Sequence, residues 1–148
     1  MTQLTLDSAN ALIAGTLRKG RELGLKPLSV AVLDAGGPLI AFQRENGASI
    51  LRPEIAIGKA AGALALGISS RKIGDMATDR PSFVASLSAI APPGIIPAAG
   101  GIILVGDDGR PVGAIGVTGD LSDQDEACAL AGSAAAGLTA QNQARNDC

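Results

Sequence analysis

The stretch RPEIAIGKAAGALALGIS, residues 52–69, holds a single lysine, Lys59, in a run of Ala, Gly, Leu and Ile. An ammonium group in such a run has two fates. It snorkels to water along its aliphatic stem, or it stands at a pocket rim, where desolvation lowers its pKa. There it can anchor a carboxylate or act as a base. Asp125 and Glu126 are the carboxylates that would work with it. In the first turn of a helix they stabilise the dipole; facing a pocket, one of them serves as acid or base. Lys59, Asp125 and Glu126 are thus the candidate catalytic residues. Arg44, at a strand end, either clamps a carboxylate bidentately or solvates that end. Glu54 lies five residues before Lys59, off the i,i+4 spacing of a surface ion pair. It is counted with Arg44 as a candidate ligand-binding residue. Gly100 and Gly101 complete that set. They follow a proline-rich bend, and serve either as a tight turn or as a close backbone approach whose N–H groups hold an oxyanion.

The chemistry is narrowed most by what is missing. The chain has no histidine, which removes Ser-His-Asp and Cys-His catalysis and histidine-ligated zinc or haem. Its two cysteines, Cys128 and Cys148, cannot make a four-cysteine metal site, so no metal is expected. Cys128, in an Ala-rich helix, is expected to be a buried free thiol. The GKA of residues 58–60 lacks the glycine-rich loop of a phosphate-binding lysine, and GRPVGAIG lies within a strand instead of opening a helix. Its glycines point to close packing on the sheet. A net charge of -2, scattered basic residues and 1% aromatics argue against a nucleic-acid partner. The opening MTQLTLDSAN has no signal-peptide pattern. No apolar run approaches the roughly 20 residues of a membrane span, so a cytoplasmic protein without a membrane partner is expected.

The elements that must position these residues are legible in outline. The 148 residues fit one domain, 1–148. TLDSANALIAGTLRKGRELGL reads as an amphipathic helix, with Thr5 as N-cap, Leu6, Ile13 and Leu17 on one side, and Gly24 as the stop. LSVAVLDAGGPLIAFQREN reads as a hairpin turning at DAGG. Residues 51–68 form a helix beginning near Pro53. SRKIGDMATD and PSFVASLSAI are two further helical pieces. The prolines of APPGIIPAAGG exclude a helix, and a short strand is expected over residues 95–98. GIILVGDDGRPVGAIGVTG is a second hairpin turning at Asp107–Gly109. SDQDEACALAGSAAAGLTAQ is a C-terminal helix with Ser122 as N-cap, and the tail after Gln141 is expected to fray. The fold class is therefore α+β, an about five-stranded, mainly antiparallel sheet flanked by helices in α-β-α layers. Apolar residues make up 47% and glycines number 20. Such a core of small side chains favours close helix–sheet packing and a homo-oligomer.

Several strings resemble the GlcG/HbpS family, which also occurs as the C-terminal domain of PduO-type proteins. They are RENGAS followed by EIAIGKA, then GIIPAAGGIILV, GRPVGAIGVTG and DQDEACALAG, spread over nearly the whole chain. The resemblance implies a profilin-like fold, assembly into oligomers, and a small-molecule ligand that in some members is haem. In those members iron ligation is tied to a histidine. This chain has none, and the aromatics that would stack on a porphyrin are nearly absent, so no cofactor is expected and haem remains only the label of the resemblance. Asn46 stands where the family often has an acidic residue. The function expected is a small-molecule-binding accessory protein whose ligand is a small organic metabolite. The alternative is a cofactor-independent isomerase, lyase or hydrolase of a small acid or carbonyl compound. Lys59 and a carboxylate would move the proton there, while Arg44 and the Gly100-Gly101 amides hold the substrate. A third reading is a purely structural oligomer.

Overall fold

The computed structural model describes residues 3–141. Helix α1, Leu6–Glu22, starts where Thr5 accepts a hydrogen bond on its side-chain oxygen from the Ser8 N–H. It stops at Leu23, with Gly24 in the left-handed region at φ 66°, a conformation cheap only for glycine. Its buried stripe is Ala9, Leu12, Ile13, Thr16 and Gly20, at helical spacing. Leu6, expected on that side, is the first helical residue and is 57% exposed.

Strands β1 (Ser29–Asp34) and β2 (Leu39–Arg44) form the first hairpin, and β3 (Gly101–Val105) and β4 (Pro111–Thr118) the second. With β5 (Thr139–Ala140) they build one five-stranded sheet in the order β2-β1-β4-β3-β5, with every pair antiparallel. The fifth strand is not the expected one. Residues 95–98 make no strand: the Ala98 N–H turns back to the Ile96 carbonyl at 2.9 Å, and Pro97 has no N–H to give. Instead the C-terminal helix α5, Ser122–Ala135, ends earlier than its composition suggests. Gly137, at φ 72°, reverses the chain so that residues 139–140 pair with β3. Ser122 lies inside α5; the N-cap is Leu121, with no side-chain cap. Cys148 and the rest of the tail after Gln141 lie outside the described residues.

Helices α1 and α5 cover one face of the sheet, over a core of Leu12, Ile13, Val30, Val32, Ile102, Leu104, Ile115, Val117 and Cys128. The two helices meet through small residues: a side chain at Gly132 would collide with Thr16 and the Leu12 carbonyl. Helix α2, Arg52–Leu66, covers the other face, where Ala60 packs on Leu33 and Ala114. A Cβ at Gly116 of β4 would overlap the Ala56 carbonyl of α2. This helix therefore lies backbone-close on the sheet, which is what its Ala and Gly content is for. Helices α3 (Ser70–Asp79) and α4 (Pro81–Leu87) carry a separate cluster of Ile73, Val84 and Ile95. No helix among the described residues is long and apolar enough to cross a membrane.

Candidate functional site

Because α2 lies so close to the sheet, its one lysine cannot reach water. Lys59 is 2% exposed. Its Nζ donates to the Val117 carbonyl at 2.9 Å and to Asp125 Oδ2 at 3.3 Å. Asp125 belongs to the first turn of α5 and is 1% exposed. Its other oxygen, Oδ1, accepts from the Asp120 N–H at 3.0 Å. Gly100, at φ 130°, lies alongside: a Cβ there would stand 2.9 Å from the Lys59 ammonium. Gly101 donates its N–H to Ser70 Oγ at 2.6 Å, and a side chain on it would collide with the Lys59 carbonyl. The Gly100-Gly101 step thus lets the chain pass over Lys59, and the Gly101 N–H is already engaged.

The electrostatics follow from this enclosure. Burial pulls the Lys59 pKa down, against the opposing pull of Asp125, and the nearby Arg52 charge lowers it further. Burial pushes the Asp125 carboxyl up, against Lys59 and the Asp120 N–H. Both groups are drawn towards neutrality, as desolvation requires, while their mutual attraction favours the charged forms. Chemically the arrangement is a buried, hydrogen-bonded lysine–carboxylate pair.

The structure brings together Lys59, Asp125, Gly100 and Gly101, and places the other candidate residues elsewhere. Glu126 turns to α3, where its two oxygens accept from Arg71 Nε at 2.9 and 3.1 Å. Glu54 is exposed in the first turn of α2. Arg44, at the end of β2, is exposed and donates from Nη1 to the Ala48 carbonyl at 2.8 Å. Sequence reasoning missed Ser70, Thr118, Asp120 and Arg52. Arg52 donates from Nη1 to Thr118 Oγ1 at 2.7 Å. It was within reach, since it precedes Lys59 by seven residues and so shares its helix face. Nothing local marks the other three.

Two clefts formed by the described residues are not lined by Lys59. One, of about 410 Å³, is formed by Leu17, Arg21, Pro27, Gln43, Arg44, Glu45 and Asn46. In it Arg21 is paired with Glu45, Nε to Oε2 at 3.1 Å, and Glu45 also accepts from the Leu28 N–H at 2.8 Å. The other, of about 560 Å³, lies at the hairpin turns and includes Asp34, Asp107, Asp108 and Arg110. The residues present do not fit an axially ligated haem. There is no imidazole. The Cys128 thiol is fully buried in the core and pushed up to about 11 by burial, with Asp125 adding to the effect, so it is no thiolate donor. Neither phenylalanine lines either cleft. Among the described residues no three His, Cys, Asp or Glu side chains converge on a metal position.

Comparison with known proteins puts this architecture in context. The crystal structure of HbpS superposes with a TM-score of 0.77 at 30% identity, over 90% of this chain and 90% of that one. The haem complex of PduOC superposes with a TM-score of 0.84 at 22% identity, over 95% and 100%. Protein ORFY of Klebsiella pneumoniae superposes at 0.81 with 24% identity, over 93% of each. The last two likenesses show the fold alone. No curated protein matches the sequence. The family described as haem degrading protein HbpS-like matches residues 4–134, which run from the residue before the α1 cap to the end of α5. This chain therefore belongs to the HbpS-like family.

Proposed function

We propose that this protein binds a small organic metabolite and that it does so without a histidine-ligated haem. The observation that carries the reading is the cleft of about 410 Å³ beside the end of β2. Its size falls in the range of roughly 300–1,000 Å³ typical of small-molecule sites. Its wall mixes the aliphatic Leu17 and Pro27 with the polar residues Gln43, Arg44 and Asn46. Apolar contact plus a few oriented polar groups is what a short organic acid needs; a porphyrin needs an axial donor and a broad stacking surface. Family membership and the haem-bound PduOC supply the competing ligand.

Assembly into an oligomer belongs to the same reading. Ile50 and Leu51, adjacent in the chain, are 92% and 61% exposed and Leu121 73%, and contiguous exposed apolar surface is what a second subunit covers. The test is a titration of the protein with a panel of short organic acids and separately with hemin, followed calorimetrically and by Soret absorbance. Saturable heat with an organic acid and no saturating Soret shift is the expected result. A sharp Soret shift saturating at one equivalent of hemin would replace this reading with the haem one.

A second reading is favoured by the Lys59–Asp125 pair, whose two groups are both drawn towards neutrality. Enclosed at 2% and 1% exposure, such a pair can exchange a proton with a substrate carbon beside a carbonyl only when the Gly100-Gly101 step or the start of α5 moves aside to admit it. Deuterium incorporation from solvent into a bound carbonyl compound, lost in Asp125→Asn while binding persists, supports that reading; no incorporation with any compound that binds removes it.

A further inference from the structure

We infer that the end of the sheet on its α2 side is a seat for a carboxylate group, formed by Arg44, Arg52, Ser29 and Thr118. The inference rests on the small-metabolite reading and goes beyond the cleft on the α1 side: it places a carboxylate-holding seat on the other face of the sheet, with Arg44 at the β2 edge common to both. In register, Ser29 of β1 stands opposite Arg44 of β2 on one side and Thr118 of β4 on the other. Directly opposed residues of antiparallel strands project to the same face. That face is the one under α2, because Leu33 and Ala114, an even number of residues along the same strands, pack on Ala60.

The row has one unfinished member. Ser29 is 0% exposed, and its hydroxyl is the buried side-chain polar atom with no hydrogen-bond partner among the described residues. A native fold rarely keeps such a group unless something else completes it. The guanidinium groups around it are also unfinished. Arg44 gives one N–H to the Ala48 carbonyl and Arg52 gives one to Thr118. A guanidinium carries five N–H donors, and neither of these two makes an ion pair among the described residues.

Three carboxylates of this end of the sheet are occupied, and Glu54, in the first turn of α2, pairs with neither Arg44 nor Arg52. Asp120 accepts from the Lys26 and Leu121 N–H groups at 2.9 and 2.7 Å. Asp125 is held by Lys59, and Glu45 by Arg21. Two guanidinium groups without an ion pair therefore belong to the same end of the sheet as an unsatisfied hydroxyl, Arg52 at the start of a 15-residue helix without a side-chain cap. A small anion answers all three deficits at once. Strands lie about 4.8 Å apart, so Arg44 and Thr118 flank Ser29 at one strand spacing on either side. At 0% exposure the Ser29 hydroxyl is closed to solvent, so the seat has to open before a ligand oxygen reaches it, and a thin group needs the least opening. The edge of a planar carboxylate matches a guanidinium fork; a phosphate offers the fork the same two oxygens but carries a tetrahedral bulk behind them. Arg44 is exposed, so the seat opens on its side.

The experiment is amide and side-chain NMR of the full chain during titration with sodium lactate, sodium succinate and inorganic phosphate, each at constant ionic strength. The expected result is saturable shifts at Ser29, Thr118 and Arg52 with a carboxylate, and much weaker ones with phosphate. Ser29→Ala removes an unsatisfied group, so it should fold at least as stably as the parent while binding the carboxylate roughly tenfold more weakly. Arg44→Gln should weaken binding further, and it leaves the Arg52–Thr118 bond in place. Shifts confined to Leu17, Arg21 and Gln43, with Ser29→Ala binding as the parent does, would overturn this seat and leave the small-metabolite reading standing. Tighter binding of phosphate would overturn the carboxylate assignment. Absence of shifts with every probe would overturn the seat, Ser29 then being completed by water alone, while a separate uncharged ligand found by calorimetry would keep the broader reading.

Discussion

Replacing Lys59 by Met tests whether the buried pair acts as a coupled unit. In the parent, Lys59 Nζ satisfies both Asp125 Oδ2 and the Val117 carbonyl. The substitution leaves Asp125 with only the Asp120 N–H, at a site 1% exposed. Breaking a buried pair from one side costs about 3–5 kcal/mol, because a charge stays behind without compensation. For a chain of this size each kcal/mol moves the midpoint by about 2–4 °C, so Lys59→Met should melt roughly 6–20 °C below the parent at pH 7. From the sequence alone, loss of an isolated buried cation promises unchanged or higher stability; the presence of Asp125 reverses that sign. Acid should narrow the gap. A carboxyl whose pKa is raised by folding contributes stability below its unfolded value of 3.8 and loses it as pH rises through the folded value. The deficit of the variant is therefore largest at neutral pH and shrinks on the way down to the carboxylate range. The double variant Lys59→Met/Asp125→Leu removes both charges and should recover most of the loss, since well-packed apolar replacements of buried pairs are often neutral or better. Calorimetric melts of the parent, both single variants and the double variant from pH 4 to 8 measure all of this. A Lys59→Met melt within about 2 °C of the parent, or a double variant no better than the single, would refute the coupling.

Gly100→Ala puts a Cβ at φ 130° and within 2.9 Å of the Lys59 ammonium; urea unfolding should show a loss of at least about 1–3 kcal/mol from the backbone conformation alone. Cys128, fully buried with its thiol pushed up to about 11, should resist iodoacetamide at pH 8 in the folded protein and react at once in urea. A Cys148→Ser background makes it the sole reporter, and rapid native alkylation would show that the thiol is accessible. Ile50→Glu/Leu121→Glu changes two of the most exposed aliphatic side chains; light scattering should show a smaller particle than the parent, and an unchanged mass would place any interface elsewhere.

Local chemistry made several elements legible before any coordinates. Thr5 and Gly24 bound α1 because a cap hydroxyl and a positive φ are decided within a few residues. The DAGG and DDG turns set both hairpins for the same reason. The absence of histidine narrowed the ligand chemistry without any structure. Where the outcome depended on another part of the chain, the reading failed or stayed open. Residues 139–140 are a strand only because the edge of β3 is there to pair with; two residues carry no periodicity of their own. Residues 95–98 look extended, yet no edge receives them. Lys59 had two readings, snorkelling or pocket rim, and the fold gave it a third environment, an enclosed pair with a carboxylate 66 residues away. Glu126, adjacent to Asp125, turns instead to Arg71, because successive residues on a helix point about 100° apart. Ser29 reads in sequence as an ordinary strand residue. Its isolation exists only because α2 packs backbone-close over β4 and buries the strand ends beneath it, and no local pattern encodes which helix covers which strand.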